Sequence, residues 1–132
     1  MFGSLSAVAV YGGILGLLIL ALSINVTRLR AKHKSLFGDA DEDELRRAIR
    51  AQANAVEYIP VCILLLLIMS AMGYAAWLIN LFGIILIVSR LLHVYGIVVQ
   101  TGDLPMGRLV GMSGTWLILG LASLLALIGG LF

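Results

Sequence analysis

The sequence predicts an all-α integral membrane protein, a four-transmembrane-helix bundle. Three observations predict it. First, the 132 residues are 61% hydrophobic and only 12% charged, with a mean hydropathy of +1.09. Soluble domains are nearer half apolar and about a quarter charged. Second, the apolar residues fall into four long runs, each able to cross a hydrocarbon core about 30 Å thick at about 1.5 Å per residue. Third, all nine Lys and Arg residues lie in, or toward the end of a run nearest, the first and third connections. Almost nothing outside one short loop is polar, so residues 1–132 read as a single four-helix transmembrane domain.

The spans are taken in order, at about 5–30, 42–72, 75–99 and 106–131. Span one carries no charge from Leu5 to Val26 and continues through Arg28 and Arg30 into water. No basic residue precedes it, so it lacks the positive start of a secretory signal and is expected to remain as a span. Gly12 and Gly16 form a small-xxx-small pair of the kind that lets helices approach closely. The first loop is basic and then acidic. Lys32, His33 and Lys34 close the first helix, and Asp39, Asp41, Glu42, Asp43 and Glu44 open the second, each sign matching the local helix dipole. Asp41 or Asp43 is the expected N-cap.

Span two is longer than a bilayer needs, and its excess lies at the polar end, from Arg46 to Asn54. Pro60 lacks a backbone N–H, so a bend is expected near Glu57. Met72-Gly73-Tyr74 is a tight uncharged turn, and Tyr74 and Trp77 mark a membrane interface there. Span three contains Arg90 and His93, one turn apart on one face. Span four follows Gln100-Thr101-Gly102-Asp103-Leu104-Pro105 and carries Arg108 in its first turn. Gly107, Gly111 and Gly114 repeat the small-residue pattern. By the positive-inside rule the first and third connections are cytoplasmic and both termini lie on the far side.

The stretch that organises the chain is Arg50-Ala51-Gln52-Ala53-Asn54-Ala55-Val56-Glu57-Tyr58-Ile59-Pro60. Arg50, Asn54, Glu57 and Tyr58 fall at i, i+4, i+7 and i+8, which places a cation, an amide, a carboxylate and a phenol on one helix face. Ionisable groups at membrane depth are rare and usually face a bundle interior or a polar cavity. Their bland role is to tether the helix at the interface. Arg28, Arg30, Arg50, Arg90 and Arg108 all fall at the same end, with His93 among them in depth. Several arginines with one carboxylate suit a small ligand bearing more than one carboxylate and an ammonium, because a guanidinium grips carboxylate in a two-point fork. Glutathione has that charge pattern, as do other zwitterionic diacids. A cation beside a thiol also lowers its pKa from about 8.5, and Arg108 is the best-placed residue for that role.

Other classes find no support. His33 and His93 are far apart and neither has a partner at metal-ligand spacing, so no metal is expected. The lone Cys62 lies in an apolar run and reads as filler. No Ser-His-Asp order, phosphate-cradling glycine loop or nucleic-acid face is present.

The run Arg50-Ala51-Gln52-x-Asn54-x-x-Glu57-Tyr58-x-Pro60 closely resembles the signature of the membrane-associated proteins of eicosanoid and glutathione metabolism, the MAPEG family. The four-span pattern extends the resemblance over the whole chain. It implies a homotrimer with a cytoplasm-facing glutathione site between neighbouring subunits. On that resemblance Arg28, Arg50, Gln52, Asn54, Glu57, Tyr58, Arg90 and His93 hold glutathione, Gln52 from the neighbouring subunit. Arg108 stabilises the thiolate that attacks a lipophilic electrophile. The implied partners are glutathione as co-substrate, a lipophilic second substrate, membrane lipids and two further copies of the chain. The loop-poor chain is similar to bacterial members, which implies an inner-membrane location. It departs from the eicosanoid-metabolising members at Ile97, where they carry tyrosine. Two rival readings stand beside the transferase or peroxidase: a small proton-coupled efflux transporter built on Glu57, and a non-catalytic family member that binds glutathione or lipid.

Overall fold

The computed structural model describes residues 3–100, 102 and 105–132. Met1, Phe2, and Thr101, Asp103 and Leu104 of the last loop lie outside the described residues. The protein is an all-α four-helix membrane bundle: α1 Ser4–Lys32, α2 Asp43–Ala71, α3 Ala76–Val98 and α4 Met106–Leu131. Each helix is long and apolar enough to cross a membrane. α2 and α3 form the middle of the bundle, and each touches the three other helices. α1 and α4 lie on opposite sides and do not meet among the described residues.

The buried positions explain this order. On α2 they run Leu45, Ala48, Ala51, Ala55, Ile59, Cys62, Leu66 and Met69, a stripe at three- and four-residue steps. Small residues at the polar end let neighbours come close, and larger ones fill the far half. The stripe meets Ala7, Tyr11, Leu15 and Leu22 of α1 and Ile79, Phe82 and Leu86 of α3. Cys62 is wholly buried in this core. A second small cluster of Leu29, Leu45 and Ala48 extends the α1–α2 pair toward the charged loop. That cluster accounts for the extra length of α2. Its first turns pack on the end of α1, and only then does the helix enter the bundle.

Several local expectations are met and others are not. α2 runs unbroken through Pro60. The Met72-Gly73-Tyr74 turn forms as expected, with Gly73 at φ +81°, a conformation that favours glycine. The N-cap of α2 is Glu42, not Asp41 or Asp43, and no side chain caps it. The acids are engaged elsewhere. Asp39, Asp41 and Asp43 close around Arg46, at 2.7, 3.0 and 2.9 Å. The Arg46 guanidinium holds the Asp39 carboxyl below the usual carboxylate range. The Tyr74 hydroxyl, just past the end of α2, donates to the Leu125 carbonyl of α4 at 2.7 Å.

The two glycine pairs behave differently. A Cβ on Gly12 would make ordinary contact with Ile63, and one on Gly16 would meet nothing. That pair therefore brings no helices together within the protomer. On the α3–α4 side the backbones touch. A Cβ on Gly96 would fall on the backbone of Arg108, and one on Gly111 on the backbone of His93 and Ser89. Gly111→Leu is expected to pry these helices apart and cost at least the 1–3 kcal/mol typical of overpacking, about that range for cores in general. Thermal unfolding in detergent measures it; a midpoint equal to wild type refutes the close-contact assignment.

Candidate functional site between α2, α3 and α4

The tight α3–α4 crossing places the first turns of α4 beside the polar half of α2. Between them lies a cleft of about 370 Å³, within the usual range of small-molecule sites, about 300–1,000 Å³. Arg50, Asn54 and Tyr58 line it from α2, His93 and Ile97 from α3. α4 contributes Arg108 with Leu109, Met112, Ser113 and Trp116. A neighbouring hollow of about 270 Å³ shares Arg50, Ile97, Pro105 and Arg108 and adds Arg46, Arg47 and Gln100. The two form one trough, basic toward the loops and aromatic at depth.

Arg90 stands behind the cleft, wholly buried. Its Nη2 donates to Asn54 Oδ1 at 2.7 Å and lies 3.3 Å from His93 Nδ1. Its Nη1 donates to Thr115 Oγ1 at 3.5 Å. One side chain thus ties α2, α3 and α4 together at the level of the cleft. Arg90 Nε has no partner among the described residues. Among the described residues no carboxylate pairs with this guanidinium, and its hydrogen-bonding neighbours are Asn54, Thr115 and His93.

Arg50 and Arg108 add to that charge. Both are exposed to the cleft, and neither makes a hydrogen bond or ion pair among the described residues. No acidic side chain is among the described lining residues. Deeper in, the Trp116 indole N–H donates to the Tyr58 hydroxyl oxygen at 3.3 Å, leaving the Tyr58 O–H free to donate. Arg47 Nη1 donates to the carbonyls of Gln100 at 2.8 Å and Ile97 at 3.3 Å, at the end of α3. Gln100 Oε1 accepts from the Gly107 N–H of α4 at 2.8 Å. This pair of bonds holds the turn that carries Arg108 against the end of α3.

The structure brings Arg50, Asn54, Tyr58, His93 and Arg108 to one cleft, with Arg90 bonded to two of them. It does not bring Arg28, Gln52 or Glu57 there within one protomer. Arg28 bonds to Asn25 on the exposed face of α1. Gln52 is half-buried on the side of α2 away from the cleft, and Glu57 is exposed with no partner among the described residues. Sequence reasoning missed Met112, Trp116, Arg47 and Gln100. The first two carried a signal: Leu109, Met112, Ser113 and Trp116 follow the i, i+3, i+4, i+7 steps of one helix face. Arg47 and Gln100 carried none, since their bonds are to backbone atoms set by tertiary contact.

A sequence model of the MAPEG family matches residues 8–128. The chain is 41% identical over 108 residues to the inner membrane protein YecN of Escherichia coli strain K12, covering 82% of this chain and 80% of that one. The same protein from the O6:H1 strain CFT073 matches to the same extent. The chain belongs to the MAPEG family, a family that includes glutathione transferases and peroxidases.

Proposed function

We infer that the protein is a glutathione-dependent enzyme of the inner membrane, of transferase or peroxidase type. The observation that carries this reading is the pair of guanidiniums, Arg50 and Arg108, facing one cleft with no acidic side chain among its described lining residues. A ligand that supplies two carboxylates satisfies both. Each such charge-assisted bond contributes about 1.5–3 kcal/mol. Asn54 and Tyr58 offer neutral hydrogen bonds to a peptide backbone between them. Arg108, in the first turn of α4, adds its charge to the positive end of that helix. A thiol held there ionises more readily and attacks an electrophile dissolved in the bilayer, and the leaving group or protonated product departs into the polar half of the trough.

The residues off the cleft are accounted for by neighbouring copies. Glu57, Gln52 and Arg28 lie on outward surfaces, where a second protomer in a homotrimer completes the site: its Arg28 takes a carboxylate, and Glu57 takes the ammonium. An exposed unpaired carboxylate within a span is costly in lipid. The basic connections face the cytoplasm, where glutathione is present.

A titration calorimeter run with glutathione and protein in nanodiscs tests the reading. Saturable binding that is weakened roughly tenfold or more by Glu57→Gln or Arg50→Ala is the expected result; no heat with wild type refutes it. One observation favours binding without turnover. Ile97 lines the cleft at the position where eicosanoid-metabolising members place a tyrosine. Saturable binding with no product from any of a panel of lipophilic electrophiles selects that second reading.

A further inference from the structure

The bond between Arg90 and His93 has only one possible direction. A guanidinium carries N–H donors and no acceptor. Arg90 Nη2, 3.3 Å from His93 Nδ1, is therefore the donor and Nδ1 the acceptor. A ring nitrogen that accepts carries no proton, so the single ring proton sits on Nε2. The other hydrogen of Nη2 goes to Asn54 Oδ1 at 2.7 Å. That bond turns the Asn54 amide in the same sense, with its oxygen toward Arg90 and Nδ2 toward Met112 Sδ, 4.0 Å away on the cleft wall. One buried nitrogen thus orients two cleft side chains, and each is left with N–H groups to offer.

His93 Nε2 makes no hydrogen bond of its own among the described residues. It is not sealed in either. Arg90 Nε is the one enclosed side-chain nitrogen or oxygen without a partner among the described residues. Nε2 also lacks a partner, so it is open, and the space that His93 lines is the cleft. The other polar side chains there agree in sense. Arg50 and Arg108 can only donate. The Tyr58 oxygen already takes the Trp116 indole N–H at 3.3 Å. Of the described lining side chains, the Ser113 hydroxyl is left as a free oxygen acceptor. A neutral hydroxyl is far too weak a base to keep a proton taken from a thiol. We propose that Arg90 is a positioning residue that locks His93 as a fixed Nε2–H donor, so that no described side chain lining the cleft of one protomer serves as a proton acceptor. This rests on the glutathione reading and adds the fate of the thiol proton. When bound glutathione ionises, the S–H bond breaks and its electron pair stays on sulfur beside the arginines. The proton leaves to water at the polar mouth of the trough. His93 donates to an acceptor atom of the ligand and is not the base that a histidine beside a thiol ordinarily is.

Nitrogen NMR of the whole protein in nanodiscs, with isotope-labelled histidine, tests this. The chain has two histidines, His33 and His93, and His33→Gln leaves one ring to read. Protonated and bare ring nitrogens resonate far apart, so the tautomer is read directly. The expected spectrum shows a proton on Nε2 and none on Nδ1, and glutathione leaves that form in place. A proton on Nδ1, or a mixture of the two forms, overturns the proposal. So does a ring that gains a second proton when glutathione binds, because His93 is then the base. Arg90→Met is expected to release the ring into a mixture of tautomers; a ring that keeps its Nε2 proton in that variant takes the positioning role from Arg90. Should Arg90→Met fail to fold, the wild-type spectrum still decides. Titration calorimetry in buffers of different ionisation heat follows the proton itself. Glutathione is expected to release protons to the buffer on binding at neutral pH, and S-methylglutathione, which has no thiol, to release none. Equal release by both, or none by either, overturns the route to water. The expected tautomer in a protein that binds no glutathione overturns the glutathione reading instead and leaves the Arg90–His93 lock standing.

Discussion

Arg90→Ala is expected to lose about 2–5 kcal/mol of stability, the range for truncating a large buried side chain. The guanidinium is wholly enclosed and bonds to Asn54 on α2 and Thr115 on α4 while lying against His93 on α3. Truncation opens a cavity at the junction of three helices. It also leaves the Asn54 carbonyl oxygen without its donor, which by itself costs about 1–3 kcal/mol. An opposing effect has to be weighed. A buried charge is expensive, and well-packed apolar replacements of similar volume are often neutral or stabilising. Arg90→Met separates the two, because it fills most of the volume and carries no charge. If packing dominates, Arg90→Met recovers much of what Arg90→Ala loses. If the hydrogen bonds dominate, the two variants fail together. Arg90→Lys keeps the charge but presents no planar fork, so it cannot serve α2 and α4 at once. Thermal unfolding in detergent, followed by circular dichroism, ranks the three variants. Wild-type stability in Arg90→Ala removes Arg90 from its place as the tie between helices. Wild-type stability in Arg90→Met with weakened glutathione binding shows a guanidinium kept for its charge at the site, at no benefit to the fold.

The same residue shows how much was legible beforehand. An arginine some ten positions inside an apolar run had to face protein, and the one-turn spacing to His93 put both on one face. The bond from Arg90 to Asn54 crosses from α3 to α2 and could not be read from either span alone. The four spans were legible because an apolar run in lipid has almost one available structure, the helix. Capping was not, because Asp39, Asp41 and Asp43 had two uses open to them, and Arg46 offered a stronger partner than a backbone N–H. The glycine pairs divided for a related reason. Gly107 and Gly111 face another helix and Gly16 faces none, yet the local pattern is the same in both. The pairing of Tyr11 with Asn80 across α1 and α3, 2.9 Å from hydroxyl to amide oxygen, left no trace in either span alone. Whatever depends on which helix stands beside which was hidden. Whatever depends on a single helix face was readable.

The second large effect is expected at Arg108. In Arg108→Ala the glutathione thiol is expected to return toward its solution pKa of about 8.5, and the thiolate fraction at neutral pH falls accordingly. If the bound thiol titrates one to two units lower in wild type, thiolate at neutral pH drops roughly tenfold or more on losing the charge, since one unit corresponds to about 1.4 kcal/mol. The ultraviolet absorbance of the thiolate, measured on the bound complex across pH, reads this directly. Arg50→Ala is the necessary comparison. Both arginines face the cleft without side-chain partners among the described residues, so both substitutions weaken binding, roughly tenfold to a hundredfold for a lost charge-assisted bond. The two differ in what they do to the thiol. Arg50 sits on α2, two turns from Tyr58 and beside the basic hollow, where it is placed for a carboxylate. Arg108 stands at the start of α4, where its own charge and the helix terminus act together. Arg50→Ala should therefore raise the dissociation constant and leave the thiol titration of the remaining complex in place. Arg108→Ala should move both. Arg108→Lys restores part of the titration shift, because a point charge suffices for electrostatic stabilisation, while binding stays weakened if the two-point grip on carboxylate matters. A thiol titration that shifts equally in Arg50→Ala and Arg108→Ala would mean that neither residue is the local stabiliser. The effect would then belong to the summed field of the whole trough, with Arg90 behind it as the charge that cannot leave.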